Sequence, residues 1–386
     1  MIESRWSDDS FLDSLRRQTD LLADTAVAAL ERDHGIAAVN RIFATLHADD
    51  RAIPADAPAP FLAFVEATRA VLPGLDEDRL DRGGAVFYRH GFSAAVVLLL
   101  SSLPNGYSAP CLSRILTVSG DLGAHPYKRL MGVLQLLVDI SQARAFQPEG
   151  AATVAAQKMR LMHAGVRRVV PRYRPDYVER YGKVVNHEDM LATIMGFSWL
   201  VISGLRMLGA GLRPAEEEDF YYLWHTFARM MGIHPEGRRE DASLVPATVA
   251  EAEVFYTAYA RRHYVGAAAN PDGVALSRVN LAMVESFVPW WGRLLGLGLL
   301  PRLVMTELLG EEGMRRVGIP PLPGHRLLGS AFSLLLRLLQ DLADDSPGHL
   351  AERLGPLVFQ DMIDKSRGGE VTFLVPDSLE AMRELA

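Results

Sequence analysis

Apolar residues recur every three to four positions through almost the whole of this 386-residue chain. The two-residue alternation of a half-buried strand is scarce. A chain with that period can bury its apolar stripes only by packing helix on helix. The spacing predicts helices over residues 10–31, 36–46, 61–72, 76–103, 109–118, 127–146, 151–170, 187–208, 214–231, 249–264, 273–288, 301–316, 327–342 and 348–364. Residues 371–375 alone have the look of a short strand. The expected class is all-α, a single large helical domain.

Local signals mark where these helices begin and stop. Pro73-Gly74 ends one helix, and Pro104-Asn105-Gly106 reads as a turn. Pro171 reads as a stop. Asn186 reads as an N-cap with Asp189 three positions on, and Gly209 and Gly211 as the end of the helix it starts. Pro214 opens the next helix, where Glu216, Glu217, Glu218 and Asp219 suit its positive end and read as a solvated start. The polar Pro/Ala-rich run ADDRAIPADAPAP sets off an N-terminal helical arm and linker, residues 1–54, from a main body, residues 55–386.

Composition removes several functional classes. Apolar residues make up 49% and charged residues 23%, enough for a large core, and the net charge of −7 gives no general attraction to nucleic acid. Cys111 is the only cysteine, which excludes an intramolecular disulfide and cysteine-based zinc or iron–sulfur sites. The N-terminus lacks a basic region followed by an apolar run, so no secretory signal is expected and a cytoplasmic location is. No transmembrane segment is expected, because no stretch of about 20 residues is free of charge. The nearest, 287–306, contains Arg293, Arg302 and two prolines and reads as core or substrate-facing surface. Trp290 and Trp291 give it the chemistry of a peripheral membrane contact.

Motifs for common chemistries are missing. There is no His-Glu-x-x-His, Gly-x-Ser-x-Gly or P-loop, and Gly296-Leu297-Gly298 lies in an apolar run where it cannot cradle phosphate. A di-iron bundle needs paired Glu-x-x-His motifs, and Glu31–His34 is the single match. His187 reads as a local residue at a helix start, and His225 in FYYLWHTF as core. His90 suits a pocket or water equally well.

One stretch stands apart: KMRLMHAGVRR, residues 158–168. Helical residues three and four apart share a face, so Arg160, His163 and Arg167 form one stripe. A neutral imidazole ligates metals, and a guanidinium forks a carboxylate. Haem b needs one axial nitrogen and cations for two propionates, so the stripe suits it. Spacing alone favours a basic helix face with an ordinary histidine. Helices joined by a short loop pack antiparallel, which brings Arg129 of the preceding helix towards the stripe. Three arginines around one histidine either face water or hold a polyanionic ligand.

The segments RLMHAGVRR, NHEDMLATIMGFSWLVISGLRMLG and YYLWHTFARMMGI, with GGAVFYRHGFSAAVVLLLSSLPNGYSAP and PYKRLMGVLQLLVDI upstream, resemble the rubber-oxygenase catalytic domain family. That family includes latex-clearing proteins and mycophenolate-pathway oxygenases. The resemblance covers residues 82–233, in order. It implies an all-α, globin-like core holding haem b, with His163 as proximal iron ligand. Arg160 and Arg167 match the flanking arginines, and Arg129 matches that of the preceding helix. These three would neutralise propionates or stabilise bound oxygen, with Arg129 and Arg160 as catalytic residues. Apolar residues around 92–103 and 190–208 would wall the pocket.

The implied reaction is oxygenation of a hydrophobic, unsaturated, isoprenoid-like small molecule with dioxygen, as in cleavage of a carbon–carbon double bond. A haem carrier or sensor, and a haem peroxidase or peroxygenase, share the same site. Two features depart from latex-clearing proteins. Gly132 and Val133 stand where that group has Lys and Thr, which leaves a smaller distal wall and open iron. The acidic residue proposed there as a base has no counterpart.

Overall fold

Two adjacent glycines allow two close helix crossings. The computed structural model describes residues 4–35, 57–119, 126–209, 211–234, 243–288, 290–294 and 296–322; the side chains of His34, 118–119 and 126–131 also fall outside this set. Helices α1 (Asp9–Arg16), α2 (Leu21–His34), α3 (Ala59–Arg69) and α4 (Glu77–Val97) come first in the chain. They lead through a π-helical turn, Leu98–Ser102, to α5 (Leu103–Tyr107), α6 (Pro110–Ser119), α7 (Pro126–Ser141) and α8 (Ala151–Tyr173). Then follow α9 (Pro175–Tyr181), α10 (His187–Phe197), α11 (Trp199–Leu208) and α12 (Pro214–Met230). The last four among the described residues are α13 (Val249–His263), α14 (Pro271–Ser286), α15 (Trp290–Leu294) and α16 (Leu300–Arg316).

Helix α4 is central and packs most extensively on α12. A Cβ at Gly83 would lie 2.5 Å from the Asp219 carbonyl oxygen of α12, and one at Gly84 would lie 2.4 Å from that of Ser141, at the end of α7. The acidic start of α12 is then drawn onto α4. Arg79 Nε donates to Asp219 Oδ1 at 2.8 Å, Arg82 Nε to Asp219 Oδ2 at 2.7 Å, and Arg89 Nη1 to Glu216 Oε1 at 2.6 Å. Arg206 Nε of α11 binds Glu217 Oε1 at 2.6 Å, and Glu217 is buried. The sequence reading of these acids as a solvated start is corrected: they are a row of interhelical ion pairs.

The fold is all-α, and no strand occurs among the described residues. The main core runs through Trp6, Phe87, Val97, Met195, Trp224, Phe227 and Tyr259. A smaller one joins Ala23, Val27 and Leu30 of α2 to Phe61 and Phe64 of α3 and Leu161 and Ala164 of α8. The N-terminal arm thus lies along the helix that carries His163.

Several boundaries differ from the sequence reading, each for a local reason. The helix expected over 10–31 breaks, because the Asp20 side chain accepts from Ala23 N–H and starts α2 anew. Pro104 sits inside helix, not in a turn: widening to a π turn loosens the ladder just before it, and Asn280 Nδ2 donates to the Leu99 carbonyl at 2.6 Å. Pro171 lies in the last turn of α8, which continues to Tyr173. The helix expected over 187–208 divides at Ser198, whose φ and ψ are −109° and −84°. Asn186 caps it as expected, accepting from Asp189 N–H at 3.0 Å, and Gly209 ends it in the left-handed region. The readings over 36–46, 327–342, 348–364 and 371–375 lie outside the described residues.

Two helical stretches, Glu77–Tyr107 and His187–Leu208, are long and apolar enough to cross a membrane, but 67% and 61% of their apolar windows are buried in the fold. Core helices show that pattern. The stretch 287–306 divides: Pro301, Leu303 and Val304 are buried, whereas Trp290, at 74%, and Leu294, at 78%, are among its exposed residues.

Alanine normally favours a helix over glycine by about 1 kcal/mol. At Gly83 and Gly84 the carbonyl clashes reverse that sign. Gly83→Ala or Gly84→Ala is expected to lower unfolding free energy by about 1–3 kcal/mol in urea titration.

Candidate functional site

The three stripe residues of α8, Arg160, His163 and Arg167, do not share one environment. Arg160 is buried, and Asp20 grips its guanidinium side-on: Nε donates to Oδ2 at 2.6 Å and Nη2 to Oδ1 at 2.9 Å. Nη1 donates to Thr68 Oγ1 of α3 at 2.6 Å and to the Met230 carbonyl at the end of α12 at 3.4 Å. The guanidinium carbon stands 4.7 Å from the centre of the Phe64 ring. Burial would push the Asp20 carboxyl up, but Arg160, by charge and hydrogen bond, and then Arg167 hold it below the ordinary range.

Arg167 faces the same helix one turn on. Its Nε donates to Asp24 Oδ1 at 2.7 Å, and Nη1 and Nη2 reach the carbonyls of Val185 and Asp20. Arg168 pairs with Glu31. So Asp20, Asp24 and Glu31, on one face of α2, match Arg160, Arg167 and Arg168 of α8. For Arg160 and Arg167 the structure adds a third solution to the two posed by the sequence, water or a polyanionic ligand: the chain supplies its own anions. Arg160 and Arg167 have protein acceptors, which makes them a frame for the stripe.

His163 is different. Its ring is half-buried between the two anchored arginines, and its Nδ1 is buried with no hydrogen-bond partner. Burial, and next the Arg167 charge, lower its pKa to about 3, against an opposing pull from Asp20. The ring is therefore neutral and keeps a nitrogen lone pair, the form in which imidazole binds metal. An unsatisfied buried nitrogen and a neutral ring fit an axial haem ligand. On the neighbouring helix α7, a Cβ added at Gly132 would meet no atom within 4 Å, so the backbone there borders open space. Arg129 belongs to α7, but its side chain is outside the described set.

His163 is not the sole imidazole of this kind. His187 is fully buried with neither ring nitrogen hydrogen-bonded, and burial takes its pKa to about 3; its expected local role at the helix start is not seen as a hydrogen bond. His225 stacks on Tyr222, leaves Nδ1 unpartnered and is lowered, chiefly by burial, to about 4. His90 is buried at a kink in α4, where its φ and ψ are −105° and 15°. Glu31 of the Glu-x-x-His match is engaged by Arg168, and the described residues contain no cluster of three metal-ligating His, Cys, Asp or Glu side chains.

A second buried charge cluster was missed in the sequence. Arg16 Nη1 binds Glu188 Oε2 at 2.9 Å and Asp189 Oδ1 at 3.0 Å, while Arg262 and His263 of α13 close on Glu188 Oε1. Tyr259 donates to Asp189 Oδ1 at 2.9 Å, and the Cys111 thiol, pushed up by burial, lies against the same oxygen. Asp189, expected only as a helix-start acid, ties α1, α6, α10 and α13 together. Its sole sequence signal is adjacency to Glu188 after a cap.

Residues 88–340 match the family described as ER-bound oxygenase mpaB/B'/Rubber oxygenase, catalytic domain, and the chain belongs to it. This is an all-α catalytic domain of an oxygenase family. Among its relatives is the rubber oxygenase of Streptomyces sp. (strain K30), 26% identical over 327 residues that span 83% of this chain and 75% of that one. A solved structure of a latex clearing protein, LCP, in the closed state superposes with a TM-score of 0.70 over 90% of each chain; at 22% identity it shows the same fold.

Breaking a buried pair leaves an uncompensated charge, so Arg160→Ala is expected to cost about 3–5 kcal/mol of stability in denaturant titration. Acid sensitivity follows from the imidazoles. His163, His187 and His225 are held below the ordinary value of 6.5 in the folded state. Below pH 6.5 the unfolded chain therefore takes up protons that the fold refuses. Stability of the ligand-free protein is full above that pH and falls below it by up to about 4 kcal/mol per pH unit, the slope of three protons. Urea midpoints measured across that range check it.

Proposed function

We propose that this protein is a haem b-dependent oxygenase that acts with dioxygen on a hydrophobic, unsaturated, isoprenoid-like molecule and cleaves a carbon–carbon double bond. The observation that carries this reading is His163: a neutral imidazole with an unsatisfied buried nitrogen, in the most specific motif of a chain that belongs to an oxygenase family. The Streptomyces relative is named a rubber oxygenase, which supports a polyisoprene-like substrate class.

His163 would hold the haem iron through its imidazole. Bound haem would supply the iron that activates dioxygen. Arg160 and Arg167 hold the imidazole in place from the turns on either side, with their charges matched by Asp20 and Asp24. We therefore assign Arg160 and Arg167 to support of the imidazole, with these ion pairs as the ground. Arg129 would supply a cation to the propionates or to developing negative charge on oxygen. Gly132, where a Cβ would meet no atom within 4 Å, would leave room on α7 for an apolar substrate. Buried apolar residues of the π turn and of α10, including Leu98, Leu99 and Met190, would wall the pocket and exclude water.

Absorption spectroscopy of the purified protein tests the cofactor. A folded wild type that stays haem-free after reconstitution sinks the proposal. His163→Ala is expected to abolish haem retention, whereas His187→Ala and His225→Ala should retain it. Haem loss in His187→Ala with retention in His163→Ala would move the ligand to the other helix. Oxygen uptake on adding an isoprenoid alkene separates turnover from storage or sensing.

A further inference from the structure

We propose that Asp20 and Asp24 are positioning residues: helix α2 latches onto α8 through Arg160 and Arg167, and the latch sets both the placement of His163 and the charge around it. The placement half stands on the geometry; the charge half rests on the haem reading above.

Arg160 precedes His163 by one helical turn and Arg167 follows by one, so the two anchored guanidiniums bracket the imidazole. Sliding or rotating α8 would break both pairs at once. The anchor is directional, because the planar fork of Arg160 meets both oxygens of one carboxylate while its remaining nitrogen reaches α3 and α12. Space for it is reserved. Gly232, just beyond α12 and at φ +77°, would as alanine place its Cβ 2.6 Å from Asp20 Oδ2 and 3.0 Å from Arg160 Nε. The charges also balance: two carboxylates offset two cations within a turn of the candidate ligand. Removing one carboxylate leaves a positive charge in a low-dielectric setting, where it acts most strongly.

Asp20→Asn keeps the shape and deletes the charge. In the full chain without haem, hydrogen exchange of the amides of α2 and of residues 158–168 is expected to rise about tenfold, with α13 unchanged. Unchanged exchange in both segments overturns the latch, and so does an equal rise everywhere. Should Asp20→Asn fail to fold, Gly232→Ala intrudes on the same pair without altering charge, and Asp24→Asn probes the more exposed pair; each must show the same local pattern. In the haem-loaded protein, Asp20→Asn is expected to raise the iron midpoint potential, since an unmatched cation favours the reduced metal, and Asp20→Glu to restore it. An unchanged potential in a folded, loaded Asp20→Asn protein overturns the charge half. Retention of haem by His163→Ala would instead overturn the ligand assignment, and the exchange result would stand apart from it.

Discussion

The ion pair between Arg160 and Asp20 is the contact on which the candidate site depends. A guanidinium taken out of water costs several kcal/mol unless its donors are met, and here Asp20, Thr68 and the end of α12 meet them. Four helices, α2, α3, α8 and α12, therefore share one buried charge. None of them can shift without exposing it or leaving it unpaired. Buried pairs contribute little net stability against an apolar substitute, but they specify geometry, because only one arrangement satisfies every donor. That is what a site needs around a residue whose position matters more than its affinity for its neighbours.

The site follows from a division of labour along α8. The arginines are engaged by protein carboxylates, and the histidine between them is left with an unsatisfied nitrogen. Membership of an oxygenase family gives that nitrogen a chemical meaning which burial alone does not. His187 and His225 show why, for each is buried, neutral and incompletely hydrogen-bonded. Physical state makes three candidates, and the proposed assignment to His163 rests on the motif around it.

The ion pairs elsewhere repeat the principle at lower cost. Glu216, Glu217 and Asp219 could have served the dipole of α12 in solvent; the packing of α4 and α11 placed arginines against them instead. Arg16 does the same for Glu188 and Asp189. In each case a local rule places the acids near the start of a helix, while these arginines lie more than ten residues away in the chain, where no local spacing rule reaches.

The sequence by itself determined the helical class, because a 3.6-residue apolar period can be buried in no other way. It also determined the caps at Asn186 and Gly209 and the stripe of Arg160, His163 and Arg167, since each depends on residues within a turn or two of one another. Tertiary structure decided what the stripe faces. Asp20 and Asp24 lie some 140 residues away, as the separations of 140 and 143 positions record, and their spacing on α2 acquires its meaning only when that helix is laid along α8. It likewise decided that Pro104 and Pro171 sit inside helices, because a π turn and a helix end supplied the backbone freedom that a proline consumes. Local rules govern groups already held close by the chain. A buried charge chooses its partner only after the fold has excluded water from both.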